Sequence, residues 1–221
     1  MGSTESIASP ALISDGRAWI ALDHVSYAVD GRTILCDLHL TAAVDRLGVI
    51  GRNGSGKSTL ARLLAGLVRP SSGICRVNGV HVVEDREAAL AEVGILFQNP
   101  DHQIIFPTVF EEVMFGLRQQ GRSKAEAAAA ARRTLSVFGK SHWEQAPVHT
   151  LSQGQKHLLC LMAVVAMAPR ILILDEPFAG LDIPTKAQLA SYLALYDGAI
   201  VHITHDPADL AGYGEVVWLD A

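Results

Sequence analysis

Three common functional classes are closed off by what this sequence has little of. Its three cysteines, Cys36, Cys75 and Cys160, are odd in number, far apart and outside any CxxC spacing, so neither a disulfide framework nor a zinc site is indicated. A reducing cytoplasm fits that usage. Lys and Arg total 18 against 23 Asp and Glu, a net charge of -5, and no basic stripe is present to track a phosphate backbone. Nucleic acid is therefore not an expected partner. The longest uninterrupted apolar run, residues 158–168, is too short to cross a bilayer and reads as a buried helix. Residues 1–16 are small, polar and acidic, without the basic and apolar regions of a signal peptide, and a loose tail is expected over residues 1–18.

What the chain does have is length enough for one domain with a large core, 221 residues, and a glycine-rich loop. Gly51-Arg52-Asn53-Gly54-Ser55-Gly56-Lys57-Ser58-Thr59 has the spacing GxxxxGK[ST], in which consecutive backbone N–H groups turn inward and cradle nucleotide phosphates at the mouth of a helix. Lys57 is expected to reach the β- and γ-phosphates and Ser58 to bind Mg²⁺. A chance match in a chain of this size is on the order of 1%. The flanks agree with the motif, because residues 46–50 read as an apolar strand and residues 60–67 as an apolar helix.

Around this loop the pattern changes along the chain. Imperfect alternation at Ile20, Leu22, Val25 and Tyr27, then Asp30-Gly31 and residues 33–40, predicts a hairpin; Asn78-Gly79 predicts another between residues 74–77 and 80–83. Residues 93–97 form a buried strand delivering Gln98 to its tip, before the turn Asn99-Pro100-Asp101. Residues 108–139 read as helical, with a capping box at Ser123 and Glu126 and a stop at Gly139. Asp182 is placed to cap a helix with Pro184 in its first turn, and Asp206-Pro207 to open another.

Two further strands end on chemistry. Residues 171–174 are wholly apolar and deliver Asp175-Glu176 to their carboxyl end, and residues 199–204 deliver His205; ligands bind at such ends in open α/β sheets. Phosphoryl transfer to water requires a held Mg²⁺, a positioned water and neutralised charge. Asp175 suits the metal and Glu176 suits a general base, while Gln98 and His205 suit the γ-phosphate side of the site. The other eight histidines have no defensible metal-ligand spacing.

Together these residues resemble an ABC ATPase, the nucleotide-binding subunit of ABC transporters, from about Ile20 to the C-terminus. Gly51, Asn53, Gly54, Ser55, Gly56, Lys57, Ser58 and Thr59 match Walker A, Gln98 the Q-loop, and Leu151, Ser152, Gln153, Gly154 and Gln155 the LSGGQ signature. Residues 171–176 match Walker B, Gly180-Leu181-Asp182 the D-loop, and His205 the switch histidine. Tyr27 falls where the family stacks an aromatic on adenine. The resemblance implies a P-loop NTPase fold of the α/β class over residues 19–221. It would have an antiparallel β subdomain, a mostly parallel core sheet flanked by helices, and a helical signature subdomain over about residues 99–165. It also implies ATP and Mg²⁺, with Ser58, Gln98 and Asp175 on the metal and Lys57, Gln98, Glu176 and His205 in catalysis.

The family resemblance further implies a head-to-tail dimer, here a homodimer, in which each signature closes on the γ-phosphate held by the opposite Walker A. Phe97 to Gln103, with Thr108-Val109 and Glu111-Glu112-Val113, resembles the ATPases of energy-coupling factor (ECF) importers of vitamins and transition-metal ions. Those work on the cytoplasmic face of the inner membrane with an integral coupling subunit and a substrate-binding membrane subunit, so Phe106, Val109 and Phe110 are candidate contacts, with core packing the equal alternative for each. Departures at Gln153, His157-Leu158 and Phe178, with a short C-terminus, look most like the biotin branch, with the cobalt or nickel branch next. The alternative reading is a soluble ABC ATPase of non-transport function, such as iron-sulfur cluster assembly.

Overall fold

The computed structural model describes residues 18–220, so the tail expected over residues 1–18 lies, apart from Ala18, outside the described residues. Strands β1 (Ala18–Val29) and β2 (Arg32–Val44) form the first hairpin, turned at Asp30 and Gly31, whose φ angles of 50° and 76° are those of a two-residue turn with both central residues left-handed. Strand β2 runs past the expected residue 40, because pairing with β1 continues to Ala18 opposite Val44. A five-residue strand, β3 (Arg46–Ile50), leads into the glycine loop and helix α1 (Lys57–Leu64). The second hairpin, β4 (Ser72–Val77) and β5 (Val80–His81), turns at Asn78 and Gly79 as expected, and the four strands make an antiparallel sheet in the order β2-β1-β4-β5.

The chain then passes through α2 (Arg86–Glu92) and β6 (Val93–Leu96) to the helices α3 (Val109–Gln119), α4 (Lys124–Val137) and α5 (Gln153–Ala166). The single helical stretch expected over residues 108–139 is thus two helices, parted at Gly121 with φ 80°, and the second opens on the expected Ser123–Glu126 capping box. After β7 (Ile171–Asp175) come α6 (Ile183–Ala194), β8 (Ala199–Thr204) and β9 (Glu215–Trp218). Asp206-Pro207 opens only a single 3₁₀ turn, Pro207–Leu210, in place of the expected helix.

The second sheet has the order β6-β7-β8-β3-β9, and all its neighbouring pairs are parallel. Strands buried on both faces must be apolar throughout, and alternation decides which core each side chain joins. Ile171, Ile173, Val201, Ile203, Leu47 and Val49 face a core shared with α1 and the antiparallel sheet. Leu96, Leu172, Leu174 and Ile200 face the other core, filled from α3, α4, α5 and α6. Fully burying one such side chain is worth about 1.5–3 kcal/mol. The sheet is thereby fixed from both sides, and its carboxyl ends, where β3, β7 and β8 finish, become a rigid platform.

Candidate active site

The glycines of the loop are required for different reasons. Gly54 and Gly56 adopt φ angles of 84° and 87°, in the left-handed region that other residues rarely enter. Gly51 is required by space, since a Cβ there would lie 2.5 Å from the Leu219 carbonyl and 2.7 Å from Ser55 Oγ. Helix α1 then starts with Gly56 as its cap and no side-chain cap hydrogen bond, so its first-turn N–H groups are left for an anion. Ser55 Oγ is buried without a hydrogen-bond partner beside them. The buried Lys57 Nζ donates to the carbonyls of Gly51 at 2.8 Å and Arg52 at 2.9 Å, which holds the ammonium in the bowl of the loop. This donor set fits the phosphates of a nucleoside triphosphate.

Three strand tips bring the expected side chains together. Ser58 Oγ donates to Asp175 Oδ1 at 3.0 Å, joining α1 to the end of β7 through two oxygens suited to Mg²⁺. Burial pushes the Asp175 carboxyl above its ordinary range; the Ser58 hydrogen bond opposes this, and the adjacent Glu176 carboxylate adds to it. Glu176 adopts φ 50°, a strained conformation for a residue with a side chain, and its N–H donates to the Ile203 carbonyl of β8 at 2.9 Å. Its Oε2 lies 2.7 Å from His205 Nδ1 and its Oε1 3.8 Å from Lys57 Nζ. One carboxylate thus joins the loop to the end of β8.

Two residues of this cluster escape sequence reasoning. Thr204 Oγ1 lies 3.4 Å from Glu176 Oε2 and 3.1 Å from Asp209 Oδ2, and Asp209 pairs with Lys186 of α6. The hydroxyl at the end of a strand apolar but for His202 was a signal available for Thr204. Nothing in the pattern pointed to Asp209, which arrives through the 3₁₀ turn.

Among the described residues, no hydrogen bond joins the remaining expected residues to this cluster. Gln98 is exposed two positions beyond β6, and its main-chain carbonyl lies 3.0 Å from His157 Nε2. Tyr27 is half-buried, paired with Leu35 and packed against the first core. Ser152 caps α5 with a complete capping box: Ser152 Oγ accepts from the Gln155 N–H, and Gln155 Oε1 accepts from the Ser152 N–H. A Cβ on Gly154 would lie 2.6 Å from Thr185 Cγ2, so the start of α5 is pressed on the first turn of α6. Asp182 caps that turn through Thr185, whose hydrogen bonds hold its carboxyl below the usual range. Among the described residues, no hydrogen bond joins residues 151–155 to Lys57, Ser58, Asp175 or Glu176. Val109, expected as a docking contact, is fully buried core, because the α3 face that carries Val113 and Leu117 turns it inward; Phe106 and Phe110 are half-buried.

Residues 37–179 match the ABC transporter family. The chain is 47% identical over 201 residues to the biotin transport ATP-binding protein BioM of Rhodobacter capsulatus, covering 91% of this chain and 86% of that protein. It is 38% identical to the BioM of Rhizobium etli, covering 90% and 88% respectively. Among solved structures, CbiO1 of Clostridium perfringens, part of the ABC transporter complex CbiONQ, superposes with a TM-score of 0.75 at 28% identity, covering 91% of this chain and 84% of that one.

Proposed function

The chain belongs to the ABC transporter family, and from that premise we propose that it is the ATP-hydrolysing subunit of an ECF-type importer, with biotin as the favoured cargo. The observation that carries the chemistry is the Glu176 carboxylate, fixed between His205 and Lys57 at the tip of β7. ATP would lie with its phosphates in the Gly51–Thr59 loop and its adenine against Tyr27. Ser58 and Asp175, with Gln98, would hold Mg²⁺, which when bound neutralises charge on the β- and γ-phosphates. Glu176 takes the proton from a water that attacks the γ-phosphorus; the bond to the ADP oxygen breaks, giving ADP and phosphate. His205 orients Glu176 and meets the γ-phosphate side.

The exposed, capped start of α5 supports a site shared between two chains. Ser152, Gly154 and the helix N-terminus close on the γ-phosphate of the opposite chain, head to tail, and ATP ties the dimer together. Loss of the γ-phosphate removes that contact, and the opening is passed to an integral membrane subunit on the cytoplasmic face. Biotin is favoured over cobalt because the two BioM relatives share more of their sequence with this chain than CbiO1 does. The complex is to be extracted from membranes with its partners and tested for uptake of labelled biotin and labelled Co²⁺. Biotin uptake abolished by Glu176→Gln is expected. Co²⁺ uptake alone would reassign the cargo, and isolation without membrane subunits would favour the soluble, non-transport reading.

A further inference from the structure

His157, two residues beyond the Leu151–Gln155 stretch, is deeply buried, with a relative exposure of 2%. Its ring stands between two carbonyl oxygens: Nδ1 is 3.1 Å from Gln153 O in its own helix, and Nε2 is 3.0 Å from Gln98 O. A neutral imidazole donates through one nitrogen only. The Gln153 carbonyl already serves the i→i+4 ladder of α5, whereas among the described residues the Gln98 carbonyl has no other hydrogen bond. The tautomer that carries its proton on Nε2 therefore gives the Gln98 carbonyl its hydrogen bond within the described residues.

The same face of α5 holds the segment from Gln98 to Phe106 at two more points. Lys156 Nζ pairs with Asp101 Oδ1 at 2.7 Å, and Cys160 Sγ lies 3.9 Å from the Pro100 carbonyl. Lys156, His157 and Cys160 are one turn of helix, and that helix begins at Ser152. The segment is further tied to α3, where Glu112 accepts from the N–H groups of Ile105 at 2.9 Å and Phe106 at 2.8 Å.

We infer that His157 is a positioning residue for ATP hydrolysis: by donating from Nε2 to the Gln98 carbonyl it makes Gln98 and the start of α5 one mechanical unit. A displacement of Gln98 at the chain's own nucleotide is then delivered to Ser152, which faces the partner's nucleotide. His157 touches neither. The inference rests on the roles proposed above for Gln98 and Ser152, and adds the residue that joins them.

The test compares His157→Gln and His157→Leu with the wild type in the full chain, measuring ATP affinity, kcat, KM and thermal stability, with Gln98→Ala and Ser152→Arg as controls. A glutamine amide can donate to the Gln98 carbonyl and leucine cannot. His157→Leu is expected to lower kcat by about tenfold, because Gln98 is no longer held in place against α5, with ATP affinity retained; His157→Gln should restore kcat to within about twofold. Ring ¹⁵N shifts of His157 in the wild type, which need no variant to fold, should show the proton on Nε2. Equal loss in both His157 variants, no loss in His157→Leu, or a proton on Nδ1 would overturn the inference. If the two controls keep full turnover, the roles of Gln98 and Ser152 fail first, and that failure is visible separately from the His157 result.

Discussion

Two helix starts meet phosphate in the proposed two-chain site, and they are built in opposite ways. Helix α1 opens on Gly56 with no side-chain cap, beside the unpaired Ser55 hydroxyl and a buried lysine. Helix α5 opens on Ser152 with a complete capping box, and Ser152, Gln153 and Gln155 are exposed. The first start leaves its N–H groups to a ligand bound in the same chain. The second satisfies itself and is presented outward, so this surface is stable alone while remaining open to an anion brought by another molecule. In the proposed two-chain site the difference would separate affinity, set at α1, from closure, set at α5.

The largest effect should come from breaking the α1 side at its chemistry. Glu176→Gln keeps the hydrogen bonding but removes the base, and steady-state assays should show turnover reduced about 10²- to 10⁴-fold with nucleotide binding retained. Unchanged turnover would remove Glu176 from the role. Beneath that tip, the two histidines of the β8 region sharpen the contrast between buried and presented groups. His205 is exposed at 54%, whereas His202 is buried at 1%, 3.2 Å from the Tyr213 hydroxyl, with Nε2 unpartnered. Burial lowers the His202 pKa from 6.5 to about 4; the Asp209 charge opposes this and the Lys186 charge adds to it. The unfolded chain therefore takes up the proton first, and stability is full above pH 6.5 and falls as pH drops from 6.5 toward 4. The loss amounts to about 3 kcal/mol. Thermal melts of His202→Leu should be flatter than wild type across that window.

On the α5 side, Gly154→Ala should cost about 1–3 kcal/mol, because the new methyl meets Thr185 and parts α5 from α6. Denaturant unfolding reads this directly, and an unaffected midpoint would mean that the contact is slack. The smallest expected change is a gain. Asp175→Asn removes a carboxylate whose pKa burial raises, while its amide oxygen can still accept from Ser58. The folded state favours the protonated acid, so the wild type loses stability as pH rises past the ordinary Asp range, and the variant should melt higher at neutral pH.

Much of this arrangement was legible in the sequence because it rests on local rules. Glycines at 54 and 56, the Asn78-Gly79 turn, the Ser123–Glu126 box and the apolar runs before Asp175 and His205 each report backbone geometry through residue type. What was not legible depends on long-range packing. Thr204 joins Glu176 to Asp209 only after β7, β8 and the 3₁₀ turn are assembled, and His157 meets Gln98 across 59 positions of sequence. Val109, open in the sequence between docking contact and core, is core, on the α3 face it shares with Val113 and Leu117.

Whether the start of α5 completes, in another chain, the site begun by α1 is decided by ATP hydrolysis in mixtures of two inactive variants. Lys57→Ala disables the loop and Ser152→Arg disables the signature; each alone should be nearly inactive. In a mixed dimer one site combines the intact loop of the Ser152→Arg chain with the intact signature of the Lys57→Ala chain. Mixing should therefore restore hydrolysis, at about one working site per mixed dimer. Activity no greater than the sum of the separate variants would contradict a site shared between chains.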